Sequence, residues 1–312
     1  MGAFEAMWRS FQWLTVICAV ALILLIMGCS DGDHLFSETA PLGEATSSSS
    51  GSAEPPGAGG FGGQAPTPPG EGGATSSGAG GAPPPDPSGL PDLGSLVVLG
   101  DSISDGGGEG PFYYDELLTL LETFYGKTLT YVNHAKAGTT TLALEAQIAA
   151  LPAELPGPVA VVITSGGNNM IYNSLQIMTG LDQLARDRMA GHIDGALGAL
   201  LAPDRFGSGI AVHVFEANIY DASDGQGNFG SGGCAVIFNV PNGSDPIFDS
   251  WNAVIADQVA GHGQTLVDIH TDFAGHGFNS PPSWYVPDCV HPNTTGHGML
   301  TAAFATEITG AP

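Results

Sequence analysis

The run Ser95-Leu96-Val97-Val98-Leu99-Gly100-Asp101-Ser102 sets an apolar, β-branched segment directly before a glycine, a carboxylate and a hydroxyl. A strand that is nearly continuous in apolar character is one buried on both faces, as in a parallel sheet covered by helices. Ser102 then sits at its carboxyl tip. Four further runs of this kind lie at 129–133, 159–165, 210–217 and 265–269. Segments of helical period occupy 114–125, 142–151, 175–201, 247–261 and 295–308. The longest carries Ile177, Leu181, Leu184, Ile193, Leu197 and Leu200 at spacings near three and four, which predicts one long helix. Strand and helix alternate five times, so the expected architecture is α/β, with about five parallel strands and helices on both faces. In such sheets functional groups gather at the carboxyl ends of the strands.

The chain before this domain has a different composition. Residues 11–27 are mostly apolar, follow Arg9 and end in Ile26-Met27-Gly28-Cys29. Small residues before a cysteine, after an apolar run too short to span a membrane comfortably, resemble the lipobox of bacterial lipoprotein signal peptides. That resemblance implies a mature chain beginning at a lipidated Cys29, in the envelope of a bacterium. Ser30 at the next position suggests the outer membrane. An uncleaved signal anchor or an ordinary secretory signal are the other readings. From position 41 to 92 there are 14 Gly, 11 Pro and 8 Ser, a composition that cannot build a core. Residues 30–92 therefore read as a disordered linker. Either it is a tether spanning about 45 Å, or it is a low-complexity insert of no selected length. The division expected is 1–29 signal and lipobox, 30–92 linker, and 93–312 folded domain.

Charge narrows the partners. The formal net charge is −25, and residues 93–312 carry 22 acidic against five basic side chains. Nucleic-acid binding needs a track of Lys and Arg along phosphates, and five scattered cations cannot supply one. Polyanionic ligands are disfavoured on the same ground, whereas a neutral substrate, a cation or a nonionic ester suits the field. Of four cysteines, Cys18 lies in the signal and Cys29 is the expected lipidation site. Cys234 and Cys289 remain, and an even remainder in an exported domain favours a disulfide over two free thiols. Neither belongs to a close Cys-Cys pair, and the histidines share no metal-ligand spacing, so no metal and no cofactor are expected. Asp221, Asp224 and Asn228 have some look of a calcium loop, but the bidentate acid is missing, and a solvated glycine-rich loop is the other reading.

Ser102 alone is ambiguous. Glycine-rich loops after a first strand also cradle phosphates, yet no GxxxxGK[ST] lysine follows here, and a plain turn remains open. The far end of the chain adds Asp288-Cys289-Val290-His291-Pro292-Asn293, on a loop after the fifth strand. At a separation of three residues, Asp288 can accept a hydrogen bond from one nitrogen of His291 and leave the other free to take a proton.

With these two ends in place, the sequence resembles the SGNH, or GDSL, hydrolases in four blocks and in the family's order. They are Gly100-Asp101-Ser102, Asn133-His134-Ala135-Lys136-Ala137-Gly138, Gly166-Gly167-Asn168-Asn169, and Asp288 to His291. The resemblance implies a flavodoxin-like three-layer α/β/α fold and a serine esterase or lipase. It implies Ser102 as nucleophile, His291 as base and Asp288 as its orienting acid. Ser102 N–H, Gly138 N–H and the Asn168 amide would form an oxyanion hole. The family commonly has Asp where this chain has Asn169. Alternatives are an acyltransferase using the same site, and a non-catalytic surface-binding lipoprotein. The expected substrate is a small-molecule, carbohydrate or lipid ester, met by a monomer attached to the membrane through a lipid anchor on Cys29. A Cys234–Cys289 bridge would brace the loop carrying Asp288 and His291.

Overall fold

The computed structural model describes residues 89–230, 234, 239–240 and 243–311. The signal segment, Cys29 and the linker up to position 88 lie outside the described residues.

Five parallel strands form one sheet in the order β2-β1-β3-β4-β5: β1 Ser95–Gly100, β2 Thr130–Asn133, β3 Val159–Thr164, β4 Val212–Ala217 and β5 Thr265–Val267. β1 and β3 are buried at every position, as their unbroken apolar runs require. Eight helices are described: α1 Tyr113–Tyr125, α2 Leu144–Ala149, α3 Gly167–Tyr172, α4 Ser174–Thr179, α5 Gln183–Leu200, α6 Asp245–Gly261, α7 Ile269–Phe273 and α8 Thr294–Thr309. α1 packs on α8 in one layer, while α2, α5 and α6 pack in succession in the other. The result is the three-layer α/β/α fold.

The strand order reverses between β1 and β3, and a crevice opens at such a reversal. Register aligns their ends, with Gly100 opposite Thr164, so the loops after both strands start side by side. Gly100 is required there. Its φ is +126°, and a Cβ would lie 2.0 Å from the Thr164 carbonyl oxygen. The Gln147 amide clamps its backbone, accepting from the Gly100 N–H and donating to its carbonyl, both at 2.8 Å.

The expected helix 175–201 is instead two helices. Gly180, at φ +68°, closes α4 in the left-handed conformation. Asp182, buried at the start of α5, accepts from Trp251 Nε1 at 2.8 Å and pairs with Arg186, and it anchors the new axis against α6. Leu181 and Leu184, part of the periodic pattern that suggested one helix, are 74% and 60% exposed. The segment 142–151 begins as a 3-10 turn, Thr141–Ala143, before α2.

Candidate active site

After Gly100 the chain turns into a 3-10 helix, Ser102–Ser104, capped by Asp101, whose carboxylate accepts from the Ile103 N–H at 3.1 Å. Burial pushes the Asp101 carboxyl up to about 6, against the lowering effect of that hydrogen bond. The Ser104 hydroxyl lies 2.6 Å from the Tyr113 hydroxyl and 2.7 Å from that of Thr164, which fixes the turn to α1 and to the end of β3. Ser102 is thus presented from a turn held on three sides.

The loop carrying Asp288 and His291 is held as firmly. Asp288 Oδ1 accepts from the backbone N–H groups of Val290 and His291, at 2.8 and 2.9 Å. Its Oδ2 lies 2.6 Å from His291 Nδ1. Burial raises the Asp288 carboxyl, but the hydrogen bonds from the His291 ring and from both N–H groups outweigh it, so the group stays below the ordinary carboxylate range. Cys289 has φ +59°, a strained conformation for a residue with a Cβ. Neighbouring contacts hold it there: a disulfide to Cys234, and the Tyr220 hydroxyl donating to the Val290 carbonyl at 2.6 Å.

These two loops meet across 189 residues of sequence, with His291 Nε2 2.7 Å from Ser102 Oγ. Room for the imidazole depends on Gly107, where a Cβ would come within 2.5 Å of His291 Cδ2. Gly107 donates to the Ser102 carbonyl at 2.6 Å, and its own carbonyl lies 3.0 Å from His297 Nε2. A carbonyl only accepts, so His297 carries its proton on Nε2. Burial keeps this imidazole below its usual pKa and so neutral. In the sequence His297 is one of the histidines without metal-ligand spacing, and only its place six residues after His291 signals a role beside the site.

Of the expected oxyanion donors, Ser102 and Asn168 line one cleft. Asn168 Nδ2 directs one hydrogen toward the Thr139 carbonyl at 2.8 Å, leaving its second hydrogen unassigned. Gly138 is outside that lining, on the adjoining loop after β2. That loop is drawn to the tip of β1, since the Lys136 N–H donates to the Gly100 carbonyl at 3.0 Å. Neither the Ser102 nor the Gly138 N–H finds an acceptor among the described residues. Asn169 is buried, its Oδ1 accepting from the Thr141 N–H and its Nδ2 donating to the Thr141 hydroxyl, both at 3.0 Å. An aspartate there could accept but not donate, so the amide suits a partner that presents both a donor and an acceptor.

The remaining candidates lie apart from this cluster. Asp221 accepts from Ser223 and Gly225 N–H groups and from the hydroxyls of Ser223 and Ser244. Asp224 accepts from the N–H groups of Gly275 and Gly277 and from the Ser280 hydroxyl. Both carboxylates tie loops together. Among the described residues no group of three or more His, Cys, Asp or Glu is placed to hold a metal ion.

A Ser–His–Asp line at the carboxyl edge of a 2-1-3-4-5 parallel sheet defines the SGNH class of α/β/α hydrolases. Residues 98–299 match the GDSL-like Lipase/Acylhydrolase family, so the chain belongs to that family and is a carboxylic-ester hydrolase. Among solved structures it is similar to the lipase Lip_vut3 from a goat rumen metagenome, at 18% identity, covering 69% of this chain and 97% of that one with a TM-score of 0.49. It is similar also to a variant of Axe2, an acetyl xylan esterase from Geobacillus stearothermophilus, at 20% identity, 70% and 98% coverage and a TM-score of 0.49. An extracellular lipase from Streptomyces rimosus matches at 20% identity, 69% and 99% coverage and a TM-score of 0.48. No curated protein sequence matches the chain.

Proposed function

We propose that this hydrolase works through Ser102, His291 and Asp288 by way of an acyl-enzyme. The observation that carries the reading is the continuous line from Asp288 Oδ2 through both ring nitrogens of His291 to Ser102 Oγ, at 2.6 and 2.7 Å. Neutral His291 accepts the Ser102 proton as the hydroxyl oxygen attacks the ester carbonyl. Asp288, held ionised, stabilises the imidazolium that forms. The N–H groups of Ser102 and Gly138 and the Asn168 amide receive the oxyanion, each fixed donor contributing about 3 kcal/mol to the transition state. His291 then protonates the departing alcohol, and water repeats the sequence on the acyl-enzyme. Ser102→Ala and His291→Ala each abolish hydrolysis of p-nitrophenyl acetate while keeping the thermal transition within a few degrees. Retained turnover in either variant overturns the assigned roles.

The reading extends to the acyl group. The space beside Ser102 is about 50 Å³ and is walled by Ile103, Ile171, Ile219, Ile269 and Val290. A space this small suits a short acyl group better than a long one. An acetyl to butyryl group fits, and its apolar walls suit a hydrocarbon chain.

The enzyme is further placed by this proposal outside the cytoplasm, on a lipid anchor at Cys29. The Cys234–Cys289 bridge supports an oxidising compartment. Mass spectrometry of the N-terminal peptide purified from membranes finds a lipid-modified Cys29 if the reading is right, and an unmodified cysteine if it is wrong.

A further inference from the structure

We infer that the face formed by α3, α4 and the start of α5 is a docking surface for an uncharged lipid or oil surface, on which ester substrates gather. Eight large hydrophobic side chains are exposed among the described residues, and six of them, Leu142, Tyr172, Leu175, Met178, Leu181 and Leu184, belong to this region, at 48–74% exposure. The other two, Leu120 and Phe124, lie on α1. The six are near one another in the fold. α3 and α4 pack together, the 3-10 turn bearing Leu142 packs on α5, and the Leu181 N–H donates back to the Gln176 carbonyl at 2.8 Å. Leu175 and Met178 stand three residues apart on α4, pointing outward while Ile177 is buried. Contiguous exposed apolar surface of this kind marks an interaction site.

Two observations choose the occupant. The first is charge. In a chain of net charge −25, four of the six, Tyr172, Leu175, Met178 and Leu181, lie in a stretch from Leu155 to Leu181 that contains no Asp, Glu, Lys, Arg or His, while Leu142 and Leu184 flank it beside Glu145 and Asp187. An apolar patch whose central stretch carries no charge, on an anionic molecule, complements a neutral apolar surface, and the rest of the molecule repels an anionic one. The second is position. Ile171 lines the cleft with Ser102, and the next residue, Tyr172, places its hydroxyl 3.0 Å from the Gly138 carbonyl. The apolar surface therefore starts at the rim of the active site, so a molecule lying on it meets Ser102 without crossing water. No helix among the described residues is long and apolar enough to cross a membrane, which leaves docking as the mode of contact for this face.

The inference goes beyond the hydrolytic mechanism, and for its kinetic readout it rests on that reading. The chain from Ser30 onward, which lacks the apolar segment and the Cys29 anchor that would themselves hold it to vesicles, and its Leu175→Ser/Leu181→Ser/Leu184→Ser variant are compared on dissolved p-nitrophenyl acetate, on emulsified tributyrin, and for co-flotation with phosphatidylcholine vesicles. The variant is expected to keep turnover of the dissolved ester within about two-fold, because the three side chains lie outside the cleft. It is expected to lose at least about ten-fold on emulsified tributyrin and to float less with the vesicles, since three apolar anchors are gone. Unchanged emulsion rates and unchanged flotation overturn the inference. So does a wild-type chain that sediments as a dimer and a variant that sediments as a monomer, because the occupant is then a second copy. If neither ester is cleaved, the hydrolase mechanism fails, and flotation still decides the docking surface.

Discussion

Asp288 fixes His291 at both of its ends. One carboxylate oxygen accepts the backbone N–H of His291, at 2.9 Å, and the other faces its ring Nδ1, at 2.6 Å. Backbone placement and ring orientation thus depend on a single side chain. Asp288→Asn separates the two roles. Its amide oxygen can still accept from the Val290 and His291 N–H groups, but its NH₂ faces Nδ1 and favours the tautomer that has no free lone pair for Ser102. The expected result is a loss of about 10⁴-fold in kcat, with a nearly unchanged thermal transition. Asp288→Ala removes both roles and is expected to cost a further 1–3 kcal/mol or so of stability, because the two loop N–H groups lose their acceptor. Equal melting temperatures for the two variants would contradict this division.

Part of this site was legible in the sequence because three of its elements follow a strand: Ser102 after β1, Gly138 after β2 and Asn168 after β3. An unbroken apolar run such as Leu96 to Leu99 announces a buried parallel strand, and the chemistry follows at its end. Asp288 and His291 were legible because a separation of three residues limits what their side chains can do. The long helix was misread for a physical reason. Leu181 and Leu184 continue the helical period, and only the left-handed Gly180 and the tie of Asp182 to Trp251 show that the axis changes there. A glycine within an apolar period carries no sign of its φ. The short helices α3 and α7 were also missed, being only six and five residues long. The role of Gly107 depends on a contact with a residue far along the chain, which spacing cannot reveal.

Acyl-chain preference follows from the cleft. With a space of only about 50 Å³ beside Ser102, kcat/KM is expected to fall steeply between butyryl and octanoyl p-nitrophenyl esters, by about 100-fold or more. Ile219 is a buried wall residue, and Ile219→Ala should extend the accepted chain while costing about 2–5 kcal/mol of stability. A series measured on both proteins checks it. Preference for palmitoyl esters in the wild-type enzyme would overturn the size argument.

Glu216 gives the fold a pH dependence of its own. It lies on β4 between Ile163 and Leu266, fully buried, and neither carboxyl oxygen has a hydrogen-bond partner among the described residues. Burial pushes its pKa up to about 8, from 4.5 for the free side chain. Between those values the folded state keeps a proton that the unfolded state has released, so stability falls as pH rises from 4.5 toward 8 and levels off above it. Glu216→Gln removes the titration. Thermal melting from pH 4 to 9 should show the variant gaining on the wild type as pH rises, by several kcal/mol at the upper end. Parallel curves would show that Glu216 does not titrate in this window.

The central claim is that Ser102 is a nucleophile activated by His291. Reaction of the folded chain with a fluorophosphonate, followed by peptide mapping, measures this directly. The account predicts a single phosphonylated residue, Ser102, formed far more slowly in His291→Ala and absent in Ser102→Ala. An unlabelled Ser102 in folded, ester-hydrolysing protein, or a label on another residue, would contradict it.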